Sequence, residues 1–483
     1  MLAGIPRQIK PYMTSAVWPK PSNPARFAGR PCAATASPIL ISTAPPRDQM
    51  EARHKRRLPS PDAAPPNLNS LPTDLLEKIV SCLPIRDAVR TSAVSRAWRH
   101  LWESAPGLAL SWDDGADPAA RAADAVLARY SRAVCIFRFD YLPVPSFSHA
   151  DCWVPLLAGK GVQALQLWFS KARDVEPHYM SVSIFSCREL IHLNLAVCDI
   201  PAAPSGLAGF PNLTTLYLQE VGFPESGVRG LEALIAESPL LEALRLSDLW
   251  IPEEEDEDDD GDQDYEFEAW VIQAPNLREL TIESEYDHGW QIEELPFIEQ
   301  VEIRCGISGS YSSNRDFVKL LTGLARVSKL ELVMPLREDN AFEGLSCTFE
   351  NLKDLSLRTD FCTLSNILST LCLLKNAPNL EKLFFEICCA NLQEFEVGVD
   401  LLNAEWTDSL FANLRSVTME LATCQSNEMH FIQFVLSKAR HLQEFHVLVC
   451  EELSRSNEEL IVEIAKYRRT SPEAKVFFRT MVF

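Results

Sequence analysis

The chain has 483 residues, 47% of them apolar and 23% charged, with a formal net charge of −22. That length exceeds what one ordinary core serves, so two or more units or an extended repeat array is expected. Residues 1–66 hold ten Lys or Arg against Asp48, Glu51 and Asp62, a balance of +7 that leaves −29 on the remainder, which excludes a phosphate backbone as the main partner of the folded part.

Fourteen cysteines occur without a C-x-x-C pair and without histidines at zinc-ligand spacing, so they read as reduced thiols of the cytosol or nucleus, with no metal or other cofactor implied. No secretory apolar segment opens the chain, and no uninterrupted apolar run reaches 18 residues.

Residues 1–66 are rich in Pro, Ala, Ser and Arg and have no apolar period. Such a basic tail buries too little surface to offset its chain entropy and is expected to be disordered. The residues leave its role open. The first 47 positions lack acids, as in an organelle transit peptide; "RHKRR" at 53–57 reads equally as a nuclear signal or a solvated linker; and translation from Met50 would remove most of it.

The stretch "LPTDLLEKIVSCLPIRDAVRTSAVSRAWRHLW", residues 71–102, predicts three short helices: 71–83, 85–94, and a third starting at Ser95 as its N-cap. Pro72 suits a first turn and Pro84 a boundary. Leu71, Leu75, Ile79, Leu83, Val89, Val94, Trp98, Leu101 and Trp102 are more apolar surface than about thirty residues can cover. The surplus is what a protein-docking module needs. "ADPAARAADAVLARYSR" then predicts one Ala-rich helix within a linker, 109–132.

From residue 133 the period changes to a repeat, apolar-x-x-apolar-x-apolar. It occurs eleven times, starting at Val162, Leu190, Leu213, Leu241, Leu277, Ile298, Val327, Leu352, Leu380, Leu414 and Leu442, at intervals of 21 to 36 residues. Each unit predicts one short strand with alternate side chains inward and a return segment. An enzyme barrel of eight equal units competes with this reading, but eleven uneven units favour an open leucine-rich solenoid. Cys198, Cys388 and Cys450 fall eight residues after a unit start, where a small polar side chain meets the turning backbone; a small hydrophobe in the core explains them equally well. "ANLQEFEV" at 390–397 follows its predecessor too closely for a full unit. The acidic insertion 252–268, with twelve acids from 253 onward, should be a solvated, disordered loop.

In a solenoid the residues between the buried positions share one open face. Tyr217, Arg245, Glu279, Arg304, Lys329, Arg358, Phe384 and His446 are the candidates there for gripping a target, since aromatic and arginine side chains supply most binding hot spots.

The 71–102 stretch closely resembles the F-box, through its Leu-Pro opening, "LPIRDAVRTS" and the "SRAWRHLW" ending. "NAPNLEKLFFE" at 376–386, "FANLRSVTMEL" at 411–421, "FVLSKARHLQEFHV" at 434–447 and "SPEAKVFF" at 471–478 look like the C-terminal FBD region of plant F-box proteins with leucine-rich repeats. The resemblance implies an F-box at 67–108, repeats at 133–375 and an FBD-like set of repeats at 376–483: an α+β, α/β solenoid behind a three-helix module and a disordered tail. It implies a Skp-type adaptor as partner, and through it cullin and RING subunits. The positions matching the docking face are Leu71, Pro72, Leu75, Ile79 and Leu83, with Val89, Val94, Trp98 and Trp102 divided between core and interface. The expected role is the substrate-recognition subunit of an SCF-type ubiquitin ligase in the nucleus or cytoplasm. A scaffold without ligase role and a small-molecule-gated receptor are the alternatives. The chain has no G-x-S-x-G, H-E-x-x-H, P-loop or dinucleotide fingerprint, which agrees with a non-catalytic part.

Overall fold

The computed structural model describes Leu68 and residues 71–113, 117–173, 175–204, 209–224, 227–250, 271–284, 290–293, 295–305, 317–333, 345–387, 396–404, 407, 409–449 and 455–480. The tail 1–66, the acidic insertion, Cys388, Cys450 and most of "ANLQEFEV" lie outside the described residues.

Helix α1 (Thr73–Ser81) starts behind Pro72, with Asp74 in its first turn and Lys78 in its last, each at the favourable end of the helix dipole. Pro84 caps α2 (Ile85–Arg90), which tightens into a 3₁₀ turn at Thr91–Ala93. The third helix departs from expectation. It is only α3 (Leu101–Ser104), preceded by His100, and Ser95 is not its cap. Between them the chain advances in steps of three, with Trp98 N–H donating to Ser95 O at 3.2 Å and Leu101 N–H to Trp98 O at 3.4 Å. Steps of three bring Trp98 and Leu101 to the same side, facing Leu76 and Val80 in one core.

That core does not stop at the helical module. Segment 109–132 is more than a linker, because it contains β1 (Leu110–Trp112), the first strand of the sheet, and then α4 (Asp117–Arg129). Trp102 is 1% exposed, with the Arg129 guanidinium 5.1 Å above its ring. Tyr130 Oη donates to Ala105 O at 2.8 Å, and Ser104 Oγ to Glu77 Oε1 at 2.8 Å.

The remaining strands are β2 (Ile136–Leu142), β3 (Ala164–Phe169), the short β4 (His178–Tyr179), β5 (His192–Asp199), β6 (Thr215–Gly222), β7 (Ala243–Ser247), β8 (Val271–Ile272), β9 (Glu279–Ser284), β10 (Gln291–Ile292), β11 (Gln300–Cys305), β12 (Lys329–Val333), β13 (Asp354–Thr359), β14 (Lys382–Ile387), β15 (Ser416–Ala422), β16 (Glu444–Val449) and β17 (Lys475–Thr480). Apart from the separate β8–β10 pair, they form one fifteen-stranded sheet in sequence order from β1 to β17, with β4 beside β5. Every pairing is parallel; in β12 and β13, for example, Leu330 meets Leu355 and Leu332 meets Leu357. The sheet is open, since β1 and β17 are its ends. A closed barrel is thereby excluded, and all eleven expected units are present as strands. Returns between strands carry α5 (Phe147–Gly159), α6 (Gly227–Ala236), α7 (Phe317–Gly323), α8 (Leu364–Lys375), α9 (Val399–Ala404), α10 (Ser426–Lys438) and α11 (Asn457–Lys466).

Two local devices hold the units in step. Asn212, Asn276, Asn351, Asn379 and Asn413, each just before the first Leu of a unit, donate a side-chain N–H to a carbonyl of the preceding unit at 2.8–3.3 Å. At the strand exits Tyr141, Val197, Glu220, Asp248 and Leu421 adopt φ of +47 to +58°. This one-residue bulge turns the next side chain inward again: Leu142, Cys198, Val221, Leu249 and Ala422 are all buried. Cys198 therefore points into the core, and burial pushes its thiol up. At the equivalent place Asp360 bonds the turning backbone, accepting from Cys362 N–H at 2.9 Å and Thr363 N–H at 3.3 Å.

Trp102→Ala should cost about 3–5 kcal/mol of stability, whereas Leu75→Ala should cost less than about 1 kcal/mol; urea denaturation of the two variants checks the contrast.

Candidate functional site

Helix α1 has two apolar stripes. Leu76 and Val80 are buried, while Leu75 and Ile79, one turn apart on another face, are 48% and 39% exposed. Pro72 is exposed at the head of this stripe, and Leu71 and Leu83 lie half-buried at its ends. Across the module Val94 is 66% exposed and Val89 rests half-buried against the core. Arg90, Arg96 and Arg99, near Val94 in sequence, are exposed, and Arg90 pairs with Asp87 at 3.0 Å. The structure thus divides the four residues that the sequence left shared. Val94 faces out and Val89 is intermediate, but Trp98 and Trp102 are 5% and 1% exposed. Both indoles are buried in the chain's own core, Trp102 under the Arg129 guanidinium of α4, and so offer little surface to a partner.

The second surface is the open face of the sheet, which carries three registered rows. Glu279 and Lys329 stand in the first row, at the strand entries. Tyr217 and Arg245 are neighbours in the middle row; Phe384 on β14 and His446 on β16 stand in the same row further along, with Thr418 of β15 between them. Arg304 and Arg358 belong to the third row, near the exits. The eight candidates share a face but not a site. His446 is already engaged, stacked on Phe477 at 4.7 Å with Nε2 3.1 Å from Glu444. Burial, with Glu279 adding to it, raises the Tyr217 hydroxyl above its ordinary range.

Of the eight, Arg304 and Arg358 line one groove of about 350 Å³, together with Val333, Asp248, Glu283 and Glu386. Its charges are interleaved. Arg245 reaches Glu283 at 3.5 Å, Arg304 contacts Glu302 at 2.7 Å and also Glu331, and Arg358 meets Glu386 at 2.8 Å. Burial nevertheless raises the Glu331 carboxyl above its usual range against the pull of Arg304. Arg304 loses solvation too, but Glu302 and Glu331 hold its guanidinium firmly charged.

The first strands of the same face carry a polar relay that periodicity did not reveal. Arg138 pairs with Asp140, Gln166 donates to Asp140 at 2.6 Å, Asn194 donates to Gln166 at 3.3 Å, and Trp168 donates to Asn194 at 2.9 Å. The available signal was amide residues in consecutive units at the second-row position, between two buried leucines.

A family model for the F-box domain matches residues 68–108. Another, described as FBD-associated F-box protein At5g56370, LRR repeats, matches residues 150–385. Among similar proteins is an F-box/FBD/LRR-repeat protein of Arabidopsis thaliana, 26% identical over 446 residues, covering 86% of this chain and 99% of the relative. A second protein of that description is 25% identical over 411 residues, 79% and 89% of the two chains. An FBD-associated F-box protein of the same plant is 24% identical over 401 residues, 78% and 98%.

Gln166→Leu should cost about 1–3 kcal/mol, because it strips a hydrogen-bond partner from buried Asp140 and Asn194; the midpoint of urea denaturation measures it.

Proposed function

For a plant F-box protein with leucine-rich repeats, as this chain is, we propose the role of substrate-recognition subunit in an SCF-type ubiquitin ligase. F-box domains generally bind Skp1-type adaptors, and proteins of this build are protein-interaction adaptors. The observation that carries the finer reading is the pair Leu75 and Ile79, held in solvent by a helix whose other stripe is locked inside. Isolated apolar side chains on a surface are ordinary; a stripe at helical spacing, extended by Pro72, Leu71 and Leu83, suits a groove-filling role, and Val94 offers a second exposed apolar point.

The mechanism is proximity. The adaptor takes the exposed stripe, a target protein occupies the open face of the sheet, and the cullin and RING subunits bring the loaded ubiquitin within reach of the target's lysines. The Trp102–Arg129 contact and the Tyr130–Ala105 hydrogen bond couple the two ends, so the target is held at a fixed offset from the adaptor. No side chain of this chain takes part in the transfer chemistry. Such a complex works in the nucleus or cytoplasm.

Leu75→Asp/Ile79→Asp should abolish co-purification with a Skp-type adaptor and cullin, a loss of more than about 2 kcal/mol per anchor, while leaving the urea midpoint nearly unchanged. Adaptor binding retained by this variant would overturn the docking assignment. Adaptor binding lost with target ubiquitination unaffected would favour a scaffold role outside the ligase.

A further inference from the structure

The third row of the open face runs Glu283–Arg304–Val333 across β9, β11 and β12, and Arg358–Glu386–Glu420 across β13, β14 and β15. Its arginines are already committed, Arg304 to Glu302 and Glu331 and Arg358 to Glu386. Glu420 has no cationic neighbour among the described residues. It stands directly opposite Glu386 on the adjacent strand, and like charges in that position destabilise a sheet. Burial, reinforced by Glu386, raises the Glu420 carboxyl above its ordinary range. Beside this pair, one step back along β14, lies the half-buried ring of Phe384. Around the groove three guanidiniums, Arg245, Arg304 and Arg358, meet six carboxylates once Asp248 and Glu420 are included with Glu283, Glu302, Glu331 and Glu386.

We propose that this groove receives an extended segment of the target protein carrying Lys or Arg, with one cationic side chain lying over Phe384 and bridging Glu386 and Glu420. The assignment rests on the reading of the open face as the target-binding surface, and it names the chemistry of that target. Charge complementarity selects the occupant. An acidic segment would have to displace carboxylates from both arginines and would then face the remaining acids. A cation instead relieves a repulsion that the empty face carries, and an aromatic face adjoining the carboxylates adds cation–π attraction. The apolar floor at Val333, 8% exposed, lies two strands from Phe384 and takes an apolar side chain further along the same segment.

The test uses the full chain in complex with a Skp-type adaptor and fluorescence anisotropy of labelled peptides of about twelve residues. One peptide alternates Lys or Arg with Gly and Ser; its counterpart has Glu at the basic positions. Glu386→Gln/Glu420→Gln should weaken the basic peptide about tenfold, and Glu420→Gln alone, which keeps the Arg358–Glu386 pair, should weaken it less while raising the urea midpoint, opposite directions that a misfolded variant does not give. Glu242→Gln/Glu350→Gln removes the same charge at two exposed positions outside the groove, and a Gly-Ser replacement of residues 252–268 removes the acidic insertion; both should leave affinity within about twofold. Equal losses in the groove and control variants, binding that vanishes with the insertion alone, or preference for the acidic peptide would each overturn the proposal. Adaptor co-elution is scored separately for every protein. A chain that holds the basic peptide through Glu386 and Glu420 but no adaptor supports the groove and removes the ligase reading; the reverse result removes the groove alone.

Discussion

Trp102 sits where the helical module meets the first coil of the solenoid, and the organisation of the chain depends on where that indole goes. An F-box of about thirty residues cannot close a core by itself. Here Trp98 and Trp102 are spent on internal packing, against Leu76 and Val80 on one side and the Arg129 guanidinium on the other. The module therefore does not wait for a partner to become ordered. What stays exposed is a small set of aliphatic side chains, Leu75, Ile79 and Val94, and the proposed docking uses these. Presentation on a rigid base lowers the ordering cost of association.

The same economy governs the sheet. Leucines at two inward positions per strand stack in register from unit to unit, and the left-handed residue at several exits brings a third side chain inward. Asparagine side chains tie the entry turn of one coil to the carbonyls of the one before it. With the inward positions fixed in this way, the outward rows are free to carry chemistry. They divide into a relay of amides, Asp140 and Trp168 over β2–β5, and an interleaved field of arginines and carboxylates over β7–β15. The first is internally satisfied; the second carries more negative charge than its cations neutralise.

The periodic part of this architecture was legible in the residues. Eleven strands were placed by their leucine spacing because a period-two strand with one buried face leaves little freedom in register. The strands that escaped lie at the two ends of the sheet. Val134, Phe137 and Phe139 of the β2 unit fit the same apolar spacing but contain no leucine to mark it, and the β1 unit opens on Gly107, so segment 109–132 looked like a linker. In β17 Val476 and Phe478 take the inward places. The proposed docking face was legible as a list of apolar residues but not as a division between core and surface, because helical spacing alone does not say which of two apolar stripes turns inward. For Trp102 the deciding neighbour is Arg129 of α4, which lies outside the motif. The groove was partly legible: Arg304 and Arg358 were identified, but the Glu386–Glu420 juxtaposition follows from register between β14 and β15, which no local pattern reveals.

Amide hydrogen exchange of the full chain, alone and saturated with a Skp-type adaptor, tests the central claim most directly. An already folded module with an outward aliphatic stripe predicts measurable protection of α1 amides in the free chain, a further gain confined to residues 71–83 and the turn around Val94 on adding adaptor, and no change in the strands from β3 onward. Fast exchange throughout residues 71–104 in the free chain, or protection that appears on the sheet instead of on α1, would contradict it.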